Sequence, residues 1–179
     1  MIGSISVNAE TSTCLDECPA GWKEFVLNGR ASCLTNTGEG AMSSGAMRCR
    51  LDSGRQPLPL NQQHNVELRA AFDTLNAKYV ALDANDALDE GQWTEADGTA
   101  IGFFNWSPAE PNNVGNEDYV GMYEENGQWN DVTSSSIANI VCEQDKCDSC
   151  SVGPCNDGTC SLDGDSYIVS TCQFPYLVN

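Results

Sequence analysis

The chain contains ten cysteines, and this feature constrains its fold more than any other. A metal centre would need histidines or paired CxxC motifs, but the chain has one histidine and a single CxxC, Cys147-Asp-Ser-Cys150. No strand leading into a helix is predicted around that motif, which argues against a redox function. An even number of cysteines at this length is typical of disulfide-bonded proteins outside the reducing cytosol. We therefore predict a secreted, extracellular protein.

The composition excludes several kinds of partner. The formal net charge is -18, from 26 acidic and 8 basic residues. Nucleic-acid binding depends on clustered Lys and Arg, so no nucleic-acid partner is expected, and an anionic membrane surface is disfavoured for the same reason. No apolar run approaches the roughly 18 residues of a membrane-spanning helix.

The acidic residues are concentrated in one part of the chain. Residues 79–145 contain 14 carboxylates and neither Lys nor Arg. A solvated acidic face is one interpretation of this pattern. The other is that cations hold part of the charge, because calcium prefers clustered oxygen ligands.

Three regions are predicted from the pattern of residue types: an N-terminal arm (1–17), a main domain (18–145) and a cysteine-rich tail (146–179). Asn28-Gly29 lies between short apolar runs, which predicts a β-hairpin. Helices are predicted over residues 41–51 and 61–75, and strands over 79–82, 119–123, 128–132 and 137–143.

The second predicted helix has the clearest pattern. Asn61 can cap its N-terminus, and apolar residues recur at helical spacing from Val66 to Leu75. His64 falls on its polar side and is expected at the surface. A long irregular segment, residues 83–118, follows the next strand, and a segment of this length is typical of a functional or ion-bound loop.

This segment and the strand after it carry an oxygen-rich set of side chains. Glu110-Pro-Asn112, Glu117-Asp118 and Trp129-Asn-Asp131 supply carboxylates and amide carbonyls, which are the ligands that calcium prefers. A cis peptide before Pro111 would turn Glu110 and Asn112 toward the same point.

With these motifs, the sequence resembles the C-type lectin-like domain family over about residues 18–144. The matching motifs occur in the family order and are Cys18-Pro-Ala-Gly-Trp22, Tyr79-Val-Ala-Leu-Asp83, Glu90-Gly-Gln-Trp93, Asn105-Trp106, Glu110-Pro-Asn112, Trp129-Asn-Asp131 and Val141-Cys142-Glu143. The resemblance implies an α+β fold, in which two helices flank small antiparallel sheets with a long calcium-binding loop, plus a small disulfide-rich tail.

The resemblance also implies a principal calcium site. Its ligands would be Glu110, Asn112, Glu117, Asn130 and Asp131, and the same side chains would hydrogen-bond two neighbouring sugar hydroxyls. The Glu-Pro-Asn order resembles that of members that favour mannose, glucose, N-acetylglucosamine or fucose. Exchanging the acid and the amide would exchange acceptor for donor at the sugar.

A second calcium site is implied by four acidic positions: Asp86, Glu90, Glu117 and Asp118. Asn113 stands where the family commonly has a carboxylate, which weakens this site. The other interpretation is a solvated acidic turn around Asp86, Asp89 and Glu90.

The resemblance implies two disulfides, Cys49–Cys142 and Cys18–Cys33, while Cys14 could instead pair with Cys33 or with Cys147. The resemblance also implies a further disulfide with one half near Tyr119 and the other within residues 133–136, but this chain has no cysteine in either place. The tail around Cys155 and Cys160 weakly resembles an EGF-like module; a generic disulfide-stapled tail is the alternative.

Two other classes of function were weighed. Glu110 and Asp131 could be the paired carboxylates of a glycosidase, but their context favours calcium ligands, and no catalytic residue is assigned. The stronger alternative is a structural or assembly protein whose lectin-like domain binds protein partners, its own copies, or mineral or ice, with calcium only ordering the loop. The C-terminal tail is a separate candidate for contact with a protein partner or for self-assembly.

Overall fold

The structure is a computed structural model that describes residues 17–146, together with the backbone of 160–163 and 166–169. Residues Cys18–Lys146 form one compact unit. No helix within these described residues is long and apolar enough to cross a bilayer. The boundaries predicted for the arm and the tail stay predictions, and the EGF-like motif lies almost entirely outside the described residues.

The compact unit is built on one six-stranded sheet with the strand order β1-β2-β6-β3-β4-β5. Its strands are β1 (Lys23–Leu27), β2 (Arg30–Ala41), β3 (Tyr79–Asn85), β4 (Tyr119–Tyr123), β5 (Trp129–Val132) and β6 (Ile137–Asp145). A separate two-stranded hairpin joins β7 (Cys160–Asp163) to β8 (Ser166–Val169). The α+β class is confirmed, but the expected small antiparallel sheets are one sheet, in which β3 and β6 pair in parallel at Val80 and Asn139.

Local sequence signals explain where the elements turn and start. Asn28 and Gly29 have φ values of 50° and 77°, the left-handed conformation that a tight two-residue hairpin needs. Helix α1 (Gly45–Leu51) starts later than predicted, because Met42–Ser44 form a 3-10 turn.

Helix α2 (Gln62–Thr74) agrees with its predicted bounds, and the Asn61 side chain caps it by accepting a hydrogen bond from the His64 amide at 2.9 Å. The burial of two side chains of α2 differs from what the sequence indicates. Val66 is 50% exposed, although the helical pattern predicts it in the core. His64, expected at the surface, is only 6% exposed, because the preceding chain folds over it and the Leu60 amide donates to His64 Nδ1 at 3.2 Å.

The core lies on both faces of the sheet because side chains alternate along each strand. Val80 and Val141 face one cluster with Leu68 and Phe72 of α2. Their neighbours Ala81 and Cys142 face the other cluster, which includes Cys49 of α1. The helices therefore cover opposite faces of the sheet.

The structure contains two disulfides within the compact unit. Cys49–Cys142 ties α1 to β6, and Cys18–Cys33 joins the segment before β1 to β2. Cys14 therefore does not pair with Cys33; Cys14 and the tail cysteines lie outside the part of the chain described with side chains.

An aromatic cluster anchors the long segment between β3 and β4 to the sheet. Trp129 of β5 is fully buried, and the rings of Phe103 and Trp106 pack edge-on against it with centroids 5.7 and 5.9 Å away. Backbone bonds run from Trp129 N to Asn105 O at 2.9 Å and from Ser107 N to Trp129 O at 2.8 Å. The segment therefore passes beside β5, next to the two residues that follow Trp129.

Candidate functional site

Asp131 of β5 holds the Glu-Pro-Asn loop in place. Its buried carboxylate accepts two backbone hydrogen bonds, from Asn112 N to Oδ1 at 3.1 Å and from Asn113 N to Oδ2 at 2.7 Å. The peptide bond between Glu110 and Pro111 is cis. Two motifs that are about 20 residues apart in sequence are therefore in direct contact.

Glu117 is joined to the same loop by short-range bonds. The amide of Val114 donates both to Asn112 Oδ1 at 2.9 Å and to Glu117 Oε2 at 3.0 Å. The Asn113 side chain accepts from Glu117 N at 2.8 Å. Asn113 is thus part of the framework of the loop, a role that its sequence position did not predict.

Glu110 lies beside Asp131 with part of its carboxylate unpaired within the described part of the chain. Its Oε2 atom is buried and has no hydrogen-bond partner among the described residues. Partial burial raises the pKa of the Glu110 carboxyl, and the neighbouring Asp131 carboxylate raises it further. Two carboxylates that lie this close repel each other unless a proton or a cation is shared between them.

The positions of the second predicted site also lie together. Asp86 is 3% exposed; its backbone N–H donates to Asp118 O at 3.1 Å, and its Oδ2 accepts from Gly91 N at 2.8 Å. The other carboxylate oxygen, Oδ1, is buried without a partner among the described residues. Burial, followed by the nearby Asp118, accounts for the raised pKa of Asp86.

Glu90 and Asn130 complete the predicted set. Glu90 lies near Asp86; desolvation raises the pKa of the Glu90 carboxyl, and the charge of Asp86 raises it further. Asn130 is half-buried on β5, where it pairs in register with Gly121 of β4. All eight predicted oxygen donors therefore belong to one region of the surface, formed by the long segment and by β5.

The chemistry of this region suits calcium. The donors are carboxylate and amide oxygens, and two of the carboxylate oxygens, Glu110 Oε2 and Asp86 Oδ1, are buried with no hydrogen-bond donor among the described residues. Within residues 17–146, no three acidic, histidine or cysteine side chains converge as a metal centre by themselves. The fit therefore depends on the amide oxygens of Asn112 and Asn130.

Sequence reasoning missed one more residue at the site. Tyr79, at the start of β3, has a buried hydroxyl beside the Asn130 side chain. No motif places Tyr79 there, because its position depends on the register between three strands.

Comparisons with known proteins agree with this architecture. A family model described as the Lectin C-type domain matches residues 42–144. The chain is 36% identical over 86 residues to a mannose-binding protein of Gallus gallus, covering 48% of this chain and 33% of that protein. It is 30% identical over 99 residues to collectin-43 of Bos taurus, covering 53% and 30%. The chain thus spans about a third of the length of these curated relatives.

Solved structures show the same fold. The carbohydrate-recognition domain of a mouse scavenger receptor C-type lectin has a TM-score of 0.63 at 23% identity, covering 73% of this chain and 99% of that one. A calcium-independent type II antifreeze protein has a TM-score of 0.60 at 20% identity, covering 72% and 95%. The family match covers more than half of the chain and agrees with the expectation of a binding protein, not an enzyme. The chain belongs to the C-type lectin domain family.

Proposed function

We propose that this domain is an extracellular, calcium-dependent lectin for mannose-type sugars. The proposed ligands of the principal ion are Glu110, Asn112, Glu117, Asn130 and Asp131. The observation that carries the proposal is the pair formed by Glu110 and Asp131: these are neighbouring carboxylates, neither forms an ion pair among the described residues, and one buried oxygen of Glu110 lacks a hydrogen-bond donor among those residues. A divalent cation would satisfy both the oxygen and the charge.

The side chains around this pair have the complementary chemistry for sugar hydroxyls. When bound, calcium would accept two neighbouring hydroxyl oxygens of the sugar as ligands. Asn112 and Asn130 carry amide N–H groups that can donate to those hydroxyls, while Glu110 and Glu117 can accept from them. Exposed Asn112 and half-buried Glu110 are open to a ligand from solvent.

Similarity to named lectins supports the sugar class. One relative is a mannose-binding protein, and its aligned part is 36% identical to this chain. The Glu110-Pro-Asn112 order agrees with a mannose-type preference. We further propose a second, weaker calcium site at Asp86, Glu90, Glu117 and Asp118, supported by the unpartnered Oδ1 of Asp86.

A glycan array with and without EDTA tests the proposal. Mannose-type glycans should be bound in calcium and released by the chelator. The double variant Glu110→Gln, Asn112→Asp exchanges acid and amide, so preference should move toward galactose. If no glycan is bound in calcium, the lectin proposal fails and a protein-binding or structural role takes its place.

The chain offers a matched control for the double variant. Glu125 and Asn126 are another acid and amide, both exposed in the turn between β4 and β5. This turn lies at the end of β4 opposite to Glu117. The exchange Glu125→Gln, Asn126→Asp should leave the glycan profile unchanged, which separates the chemistry of the site from a general effect of exchanging an acid and an amide on the surface.

A further inference from the structure

The ring of Tyr79 lies across strand β4 at Gly121, the only glycine of that strand. A Cβ atom added to Gly121 would come 2.7 Å from Tyr79 Cε1 and would overlap the ring carbon and oxygen of the phenol end. Any larger residue at 121 would therefore push the ring away. The absence of a side chain at this position lets the tyrosine lie flat against the strand.

Strand register defines what lies beyond the glycine. Gly121 of β4 pairs with Asn130 of β5, whereas Tyr79 of β3 pairs with Tyr123. The Tyr79 ring thus leans along β4 and crosses it toward β5. The ring of Tyr123, with its centroid 4.8 Å away, packs against Tyr79 and restrains it in this orientation.

The hydroxyl of Tyr79 is buried near Asn130, one of the proposed calcium ligands. It has no hydrogen-bond partner among the described residues, but the Asn130 side chain lies close enough to counteract part of the rise in its pKa. A neutral hydroxyl can both donate and accept.

We propose that Tyr79 is a positioning residue for Asn130, an inference that rests on the proposed calcium site. An asparagine amide has one carbonyl oxygen and two N–H groups. If the Tyr79 hydroxyl accepts one N–H, the oxygen is oriented toward the ion and the second N–H stays free for a sugar hydroxyl. A hydrogen bond from Asn130 to the Tyr79 hydroxyl would therefore favour one of the two orientations of the amide, which differ by exchange of its oxygen and nitrogen.

The alternative is that Tyr79 only fills space beside Gly121. The two explanations differ in the role of the hydroxyl, which Tyr79→Phe removes while it keeps the ring. Tyr123→Phe is the matched control: it removes a hydroxyl from the other ring of the same pair, which is 36% exposed.

The first measurement is calcium affinity by titration calorimetry without sugar. Outer partners that orient metal ligands typically change affinity by about 10- to 100-fold. Tyr79→Phe should therefore weaken calcium binding at least about tenfold, and Tyr123→Phe should not. The melting temperature in EDTA should stay within a few degrees for both variants, because the ring packing is retained. Wild-type calcium affinity in Tyr79→Phe would overturn the inference.

The second measurement does not depend on calcium. In EDTA, the side-chain NH₂ signals of Asn130 in a ¹⁵N NMR spectrum should shift in Tyr79→Phe and stay unchanged in Tyr123→Phe. Unchanged Asn130 signals in Tyr79→Phe would overturn the inference, whether or not calcium binds. If the wild-type protein shows no calcium binding, the proposed function fails, and the positioning role for an ion fails with it; shifted amide signals would then show a contact without that role.

Discussion

At the scale of single residues, His64 shows how a polar side chain can be buried in its neutral form. Its Nδ1 accepts a hydrogen bond from Leu60 N, so the proton of the neutral ring lies on Nε2, which is buried without a partner among the described residues. Desolvation is the main cause of its lowered pKa, and it outweighs the opposing charges of Glu143 and Glu67. If Nδ1 were protonated, its N–H would face the N–H of Leu60, and the hydrogen bond between these two groups would be lost.

The His64 environment predicts a pH-dependent stability. Because the folded pKa lies below the unfolded value of about 6.5, the unfolded chain binds the proton more tightly. The stabilising contribution is thus fully present above that pH and is lost as the pH falls through the folded pKa. The chain has a single histidine, so its NMR titration is unambiguous and should give a midpoint below about 6.5.

A variant isolates this effect from the carboxylates, which also titrate in acid. In His64→Asn the amide oxygen can replace Nδ1 as the acceptor, and no group titrates. Between pH 7.5 and 5, the free energy of unfolding should fall more in the wild-type protein than in His64→Asn. Parallel curves for the two proteins would contradict the assignment of a neutral buried imidazole.

At the scale of elements, Asn65 connects helix α2 to the hairpin that carries part of the site. The buried side chain accepts from Trp129 Nε1 at 2.9 Å and donates to Gly127 O at 3.0 Å. It therefore contacts both the β4–β5 turn and strand β5. Trp129 directly precedes Asn130 and Asp131, so the helix supports the position of the proposed ligands.

Removing this link should destabilise the domain. Asn65→Ala leaves the buried Trp129 indole N–H unpaired, while Gly127 O keeps its bond from Asn105 Nδ2 at 2.7 Å. We expect a loss of about 2–3 kcal/mol, the cost of one unpaired buried donor together with lost packing. Urea unfolding measures it.

Gln63→Ala is the matched control, because Gln63 is exposed in the first turn of the same helix. Its effect should stay within about 0.5 kcal/mol. An equal loss in both variants would show that Asn65 acts only through the helix and not through Trp129.

At the scale of the whole molecule, the concentration of negative charge gives calcium a thermodynamic role. The formal charge is -18, and two bound calcium ions would bring it to -18 + 4 = -14. The long segment between β3 and β4 contains no helix and no strand of the sheet, and it contains no cysteine that could close it with a disulfide. Bonds between calcium and the side chains of this segment would therefore order it in place of a disulfide.

Calcium should accordingly raise the melting temperature. A ligand at about 100 times its dissociation constant stabilises the folded state by about 2.7 kcal/mol per site. Millimolar calcium should give a shift of several degrees, which EDTA should reverse. Sodium chloride of equal ionic strength is the control, since general screening acts with any salt; equal shifts in both salts would contradict specific ion binding.

The sequence by itself determined the features that local chemistry controls. The Asn28-Gly29 hairpin and the cap of α2 by Asn61 follow from turn and capping rules that depend on neighbouring residues, whereas the α+β class was implied by the family resemblance of the motifs. The oxygen-rich motifs could be recognised as candidate ligands for the same reason, because calcium selects residue types that can be read from the sequence.

Only the tertiary structure decided which side chains meet across elements. It buried His64 and exposed Val66, although the periodicity of the helix predicts the reverse. It also brought Tyr79 over Gly121 toward Asn130. The physical reason is that such contacts depend on strand register and on the path of the chain over each helix, and these are fixed by the packing of the whole core rather than by any local pattern.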